Sequence, residues 1–279
     1  MTLITSPTNP RVREARDLLT GKGRKQHGLF LMEGPHLLET LLDVGIMPVE
    51  IFYLPALLEH TVQGGALFRR LLSTPAAERL VEVSERVMQA LSDTEAPQGV
   101  VSVLPLAAFA PERARARRPQ AQRPALLILD ALADPGNMGT ILRTALAADV
   151  EAVLLTPNCV DCFSPKVVRS ASGAHVALPI AINQSWAAIE RQVEAHCQGQ
   201  SRVFLAEAGR EPSYFEQDFR APFALIIGNE AHGPSQQARS LSTAALSIPL
   251  ANNVESLNAA MAAGIILYEA VRQRYHQTE

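Results

Sequence analysis

Ile248-Pro249-Leu250-Ala251-Asn252-Asn253-Val254-Glu255-Ser256-Leu257-Asn258, followed by Ala259-Ala260-Met261-Ala262-Ala263-Gly264-Ile265-Ile266-Leu267-Tyr268-Glu269, is the stretch on which the reading of this chain turns. A short apolar run ends at a proline, and a polar loop with asparagines and a serine follows. Then Leu257, Met261, Ile265, Tyr268 and Val271 recur at helical spacing, which predicts a helix that buries this stripe. Asn253 or Ser256 is expected to cap it, because a short polar side chain accepts from the free amides of a first turn. The small residues Ala259, Ala260, Ala262, Ala263 and Gly264 permit a very close neighbour. Taken alone, this is a strand-loop-helix corner of an α/β domain.

Working outward, the second half of the chain repeats that unit. Apolar strands are predicted over residues 125–129, 152–155, 176–180, 203–206, 223–227 and 245–248, and helices over 137–148, 165–174 and 186–196. Apolar strands separated by helices imply a mostly parallel sheet covered on both faces. Such sheets bind ligands beyond the carboxyl ends of their strands. The loops there, residues 130–138, 207–209, 228–235 and 249–253, are polar and mostly carry glycine or asparagine.

The first half predicts a smaller α/β domain, with helices over 35–45, 57–72 and 84–91 and strands over 29–34, 49–54, 80–83 and 99–104. Gly64-Gly65 is the expected break in the second of these helices. Residues 21–28, Gly-Lys-Gly-Arg-Lys-Gln-His-Gly, read as a flexible basic loop that is neither a dinucleotide fingerprint nor a P-loop. Up to Gly28 there are six cationic side chains, Arg11, Arg13, Arg16, Lys22, Arg24 and Lys25, against Glu14 and Asp17. This is either a solvated face or a patch that tracks phosphates. Residues 106–124 are rich in proline, alanine and arginine and read as a linker or a short surface helix. The division is therefore 1–105, a linker at 106–124, and 125–279.

The bulk numbers bound the function. The chain has 279 residues, 47% hydrophobic and 19% charged, with a net charge of −3. That suffices for two modest cores and argues against a passive nucleic-acid coat, though not against an enzyme with a local basic patch. Lysine occurs only at 22, 25 and 166, so arginine, whose planar fork suits phosphate, supplies nearly all the positive charge. Cys159, Cys162 and Cys197 make an odd count with no secretory leader, which points to a reducing cytoplasm. Cys159 and Cys162 have C-x-x-C spacing but no second pair, so no metal site is expected. No run reaches the length of a membrane span.

Four ordered motifs carry a resemblance. Asn137-x-Gly139-x-x-x-Arg143-Thr144-Ala145, Gly228-Asn229-Glu230-Ala231-His232-Gly233, and Ile248-Pro249 through Ser256-Leu257-Asn258 resemble the three motifs of the SpoU (TrmH-type) group of the SPOUT superfamily of RNA 2′-O-ribose methyltransferases. Asp161-x-x-Ser164-Pro165-Lys166-Val167-Val168-Arg169 through Ala174 is similar to the segment between the first two. Asn9-Pro10, Arg24-Lys25 and Phe30-Leu31-Met32-Glu33-Gly34 resemble the RNA substrate-binding domain, of ribosomal-protein-like α/β fold, that often precedes it. The resemblance spans nearly the whole chain. The departures are Ala231 and Asn252 where glycine is common, and Pro234 where leucine is common.

The resemblance implies a C-terminal sheet tied in a trefoil knot, S-adenosylmethionine held in it, a homodimer, a cytoplasmic location, and ribose methylation of RNA. Ribosomal RNA, 23S rRNA above all, is the expected substrate; transfer RNA, or a catalytically silent RNA-binding assembly factor, is the alternative. By the same resemblance Arg143 is catalytic, Asn137 orients it, Glu230 holds the loop or the arginine, and Ser256 and Asn258 contact the target nucleotide or fix the third loop. Ala206, Gly228, Ile248, Leu250, Ser256 and Leu257 form the cofactor cradle, and Arg11, Arg24, Lys25 and Arg169 are the RNA contacts. A guanidinium holds its proton at neutral pH. Arg143 is therefore expected to clamp a phosphate and stabilise a developing alkoxide rather than act as a base.

Overall fold

The computed structural model describes residues 3–118, 125–200, 202–209 and 212–275; the end of the predicted linker, residues 119–124, lies outside them. The chain divides into two compact units. One comprises Met1–Phe109 with Phe163–Val176, and the other Ala110–Cys162 with Ala177–Glu279.

In the first unit, strands β1 (Leu29–Glu33), β2 (Glu50–Tyr53), β3 (Leu80–Glu82) and β4 (Val100–Pro105) form a mixed sheet in the order β1-β4-β2-β3. One face buries Leu31, Phe52, Val81, Val101 and Val103 against Val12, Ala15 and Leu18 and against Val87, Met88 and Leu91. Gly21–His27 is a helix, not the expected loop. Thr20 caps it by accepting from the Gly23 amide, and a Cβ at Gly23 would stand 2.0 Å from the Asp17 carbonyl oxygen, so the glycine is there for close approach. The predicted helix over 57–72 is two helices, Pro55–Leu58 and Val62–Leu72, and they part at Thr61, the cap of the second, not at Gly64-Gly65.

In the second unit, β5 (Ala125–Leu129), β6 (Ala152–Leu155), β7 (Ile180–Ala181), β8 (Val203–Ala206), β9 (Phe223–Ile227) and β10 (Ala244–Leu246) form a parallel sheet in the order β10-β8-β9-β5-β6-β7. Every position of β5 and β9 is buried, as a sheet covered on both faces requires. The strand expected over 176–180 is only a two-residue pair at Ile180–Ala181, preceded by a 3-10 turn at Ala174–Val176. The order of building reverses between β5 and β9: β6 and β7 extend the sheet on one side, β8 and β10 on the other.

Register puts one row of residues at the carboxyl edge. Leu246 pairs with Ala206, Ala206 with Ile227, Ile227 with Leu129, and Leu129 with Leu155. The next residue on each strand, Glu207, Gly228, Asp130 and Thr156, therefore opens a loop on the same edge. The ladder runs one step further, with Glu207 N–H donating to Leu246 O, Asp130 N–H to Ile227 O and Thr156 N–H to Leu129 O at 2.9–3.1 Å. No helix among the described residues is long and apolar enough to cross a membrane.

The last helix, Ala259–Tyr275, buries Ala260, Ala263, Ile266, Leu267 and Ala270. This overturns the expected burial of the stripe: Met261 is 58% and Tyr268 49% exposed. The alanine face is buried because small side chains let two helices approach, and Gly264 lies beside Thr144 of the Pro135–Ala147 helix. Its cap is neither Asn253 nor Ser256 but Asn258, whose Oδ1 accepts from the Ala260 and Met261 amides at 2.9 and 3.3 Å.

Candidate functional site

A cleft of about 530 Å³ lies at the carboxyl edge of the second sheet. Its walls come from the ends of β8, β9 and β10, the loop before the last helix, and that helix itself. Ile227, Leu246, Ile248, Leu250, Leu257 and Ile266 supply apolar surface, and Asn137, Glu207, Glu230, Arg239, Ser256 and Asn258 supply polar groups. An apolar cavity with a few convergent polar groups at a topological switch point is the usual form of a small-molecule site.

One chain of hydrogen bonds organises the polar rim. Asn258 Nδ2 donates to Asn137 Oδ1 at 2.8 Å, and Asn137 Nδ2 donates to Glu230 Oε1 at 2.9 Å. Glu230 Oε2 accepts from the Ala133 amide at 3.1 Å, and Oε1 from Asp134 at 3.2 Å. A carboxylate has no donor, so the amide of Asn137 can face it only with its NH2. That fixes the Asn137 oxygen toward Asn258, the Asn258 NH2 toward Asn137, and the Asn258 oxygen toward the helix amides it caps. One acceptor-only group thus sets the sense of two amides and ends on a helix N-terminus. Burial by itself would raise the Glu230 carboxyl, but the Asn137 amide and the Ala133, Glu230 and Asp134 N–H groups outweigh it and hold the group below the ordinary carboxylate value.

Local sequence explains the positions. Asp134 caps the Pro135–Ala147 helix through the Asn137 amide, with proline at its start, so Asn137 sits in the first turn and its side chain points back to the loop. The Gly228–Pro234 loop folds on Asn229, whose Oδ1 accepts from Ala231 and His232 and whose Nδ2 donates to Ala131 O at 2.7 Å. A Cβ on Gly228 would meet the Pro234 backbone at 2.6 Å, so Pro234 closes against the one residue with room for it. The buried Asp130 carboxylate fixes the end of this loop by accepting from the Ser235 amide at 2.7 Å. Asn252 has φ 56°, the left-handed region that glycine favours and asparagine tolerates, so this departure keeps the backbone shape.

Asn137, Glu230, Ser256 and Asn258 line the cleft, as do Ala206, Gly228, Ile248, Leu250 and Leu257. Arg143 does not. It is exposed on the Pro135–Ala147 helix, six residues beyond Asn137. In the first unit, Arg11 pairs with Glu50 at 2.6 Å and Arg169 with Asp93 at 2.9 Å, both at the surface, and Lys25 is exposed. Arg24 turns inward instead: it is 5% exposed and its Nη1 donates to Leu18 O at 2.8 Å, so it offers no guanidinium to an outside phosphate. Sequence reasoning passed over Asp130, Asn229, Glu207 and Arg239. The signal available for Asp130 and Glu207 was their place immediately after an apolar strand.

The family model described as the SpoU rRNA Methylase family matches residues 124–268, and that of the MRM3-like substrate binding domain matches residues 9–102. An uncharacterized tRNA/rRNA methyltransferase of Synechocystis sp. is 38% identical over 272 residues, 98% of this chain and 94% of that one. The 23S rRNA (guanosine(2553)-2′-O)-methyltransferase RlmP of Bacillus subtilis is 32% identical over 275 residues, 96% of this chain and 98% of that one. The crystal structure of the SpoU methyltransferase AviRb from Streptomyces viridochromogenes in complex with AdoMet superposes with a TM-score of 0.81 at 30% identity, covering 96% of this chain and 98% of that one.

Proposed function

The chain belongs to the SpoU rRNA methylase family, and from that premise we propose that it transfers a methyl group from S-adenosylmethionine to a ribose 2′-oxygen of 23S rRNA. The observation that carries this reading is the Asn258–Asn137–Glu230 chain on the rim of an apolar cleft.

The donor set fits the cofactor. Apolar walls suit an adenine, the backbone edges of β8, β9 and β10 suit its polar atoms, and the glycine at 228 leaves no side chain in the way. Ala206, Gly228, Ile248, Leu250, Ser256 and Leu257 would hold it. When bound it supplies an activated methyl group on a sulfonium, so the protein's task is to place the acceptor oxygen and help its proton leave. Asn137 and Asn258, with their amides oriented by Glu230, present a fixed pattern of donor and acceptor to the incoming nucleotide. Arg143 clamps the neighbouring phosphate and stabilises the developing alkoxide, the proton passing to a phosphate oxygen or water. Arg11, Lys25 and Arg169 belong to the RNA-binding surface of the unit that carries the substrate-binding domain.

Three further parts of the reading rest on particular features. The exposed stripe of Leu257, Met261 and Tyr268 is apolar surface that a second copy would cover, and the helix bearing it packs beside the helix bearing Arg143. A homodimer in which Arg143 completes the partner's site accounts for an arginine outside its own cleft. β10 lies at the far edge of the sheet, yet the next residues return to Asn137 behind β5, a path that suits a trefoil knot. The three free thiols suit a reducing cytoplasm.

The test is transfer of labelled methyl to 23S rRNA, tRNA transcripts and large ribosomal particles, followed by mapping of alkali-resistant linkages. Arg143→Ala is expected to abolish transfer while cofactor affinity and melting temperature stay at the wild-type values. Label confined to tRNA overturns the substrate. Cofactor binding with no label in any RNA overturns the enzyme.

A further inference from the structure

Glu207 and Arg239 form an ion pair inside the cleft that none of the roles above uses. Glu207 follows β8 directly and lies in the same edge row as Gly228, one strand away. Its Oε1 is 2.7 Å and its Oε2 2.9 Å from Arg239 Nη1. The Glu207 side chain is 18% and the Arg239 side chain 44% exposed, and both line the cleft. Arg239 belongs to the Gln236–Leu241 helix, whose start is fixed by the Ser235 cap and by Asp130.

Resting on the methyl-donor reading, we propose that Glu207 is the acceptor for the ribose hydroxyls of the donor's adenosine, with Arg239 as its positioning residue. A carboxylate accepts and never donates, and two vicinal hydroxyls present two donors. The alternative partner on the donor is its ammonium, which sits close to the sulfonium. Strands are about 4.8 Å apart, so the β8 edge lies on the order of 10 Å from the β5 edge where Asn137 orients the acceptor. That separation matches an adenosine better than the short reach from sulfonium to ammonium. An acidic residue at a strand's carboxyl end takes a ribose hydroxyl in the same way in doubly wound dinucleotide folds. Arg239 keeps the carboxylate in one rotamer while leaving lone pairs for the ligand.

The experiment is calorimetric binding, without RNA, of S-adenosylhomocysteine and its 2′-deoxy and 3′-deoxy forms to the full chain and to Glu207→Gln and Arg239→Ala. Hydrogen bonds to a charged group predict that wild type binds at least one deoxy form about tenfold or more weakly. Glu207→Gln should bind the parent compound about tenfold more weakly and lose most of the deoxy penalty, and Arg239→Ala should shift both the same way by a smaller factor. A deoxy penalty that survives in Glu207→Gln overturns the assignment, even if that variant binds weakly or melts early. Wild type that binds S-adenosylhomocysteine with no deoxy penalty overturns it as well. Wild type that does not bind S-adenosylhomocysteine brings down the methyl-donor reading, and this proposal with it.

Discussion

Asn137→Asp and Asn137→Ala are expected to exchange rank with pH. Asn137 donates to Glu230 at 2.9 Å and accepts from Asn258 at 2.8 Å. Alanine removes both bonds. Both partners are surface groups that water can reach, so the net loss is about 1–2 kcal/mol. Aspartate keeps the bond from Asn258 but loses its donor and sets two carboxylates against each other. At 2.9 Å, their repulsion is about 1.4 kcal/mol in bulk water and about 6 at an effective dielectric of 20. About 3 kcal/mol is reasonable for a rim position. The first turn of the Pro135–Ala147 helix returns about 0.3–1 kcal/mol to a negative charge there.

The aspartate variant should thus be about 1–2 kcal/mol less stable than the alanine variant at pH 7.5. For a unit of this size that is a gap of roughly 2–8 °C in melting temperature. In the folded protein one carboxyl of the pair is pushed above its unfolded value, so the destabilisation is full at high pH and is relieved as pH falls through the raised value. A proton shared between the introduced carboxylate and Glu230 restores the missing donor, and near pH 4 the aspartate variant should melt above the alanine one. Thermal melts of the three proteins at pH 7.5 and 4 decide this. If Asn137→Asp equals or exceeds Asn137→Ala at pH 7.5, Glu230 is not the acceptor that orients the rim.

Glu230 itself has a depressed value in the folded state, so its contribution is present above the unfolded value of 4.5 and disappears as pH falls through the lower folded one. The melting deficit of Glu230→Gln should accordingly shrink between pH 7 and pH 3. Gly228→Ala places a methyl 2.6 Å from the Pro234 backbone. It should cost about 1–3 kcal/mol by overpacking and weaken donor binding in the same calorimetric assay. Met261→Asp puts a charge on the exposed stripe and should shift the protein to a monomer in light scattering without lowering its melting temperature; an unchanged mass would show that this helix is not the dimer face.

Much of the fold was legible because the pattern was strong. β5, β8 and β9 lie where continuous apolar runs put them, and four ordered motifs pointed to the family that the SpoU model matches. What misled was composition standing in for packing. Glycines at 21, 23 and 28 read as a loop, yet Gly23 serves a tight helix junction capped by Thr20. On the last helix the large apolar residues drew attention, while the buried face is built on Ala260, Ala263 and Ala270 because a helix packs against it. Residues 163–176 group with the first unit although they lie within the sequence of the second, a tertiary fact with no local signature. The rim was readable as a set of polar residue types, but its hydrogen-bond direction was not. That direction depends on which carboxylate meets which amide across 93 and 121 residues of chain.

Those separations have a bearing on how the protein reaches its working state. Asn137 waits for Glu230 and then for Asn258, so the cleft closes only after two long loops have been drawn together. Closing long loops costs entropy before any contact repays it, and such topologies fold slowly. A partly folded chain therefore has a sheet but no cleft, and a small molecule that fills the cleft recognises only finished molecules. At a concentration of about 100 times its dissociation constant such a ligand adds about 2.7 kcal/mol to the folded side. The supply of methyl donor in the cell would then set not only how fast this protein works but how much of it is there to work.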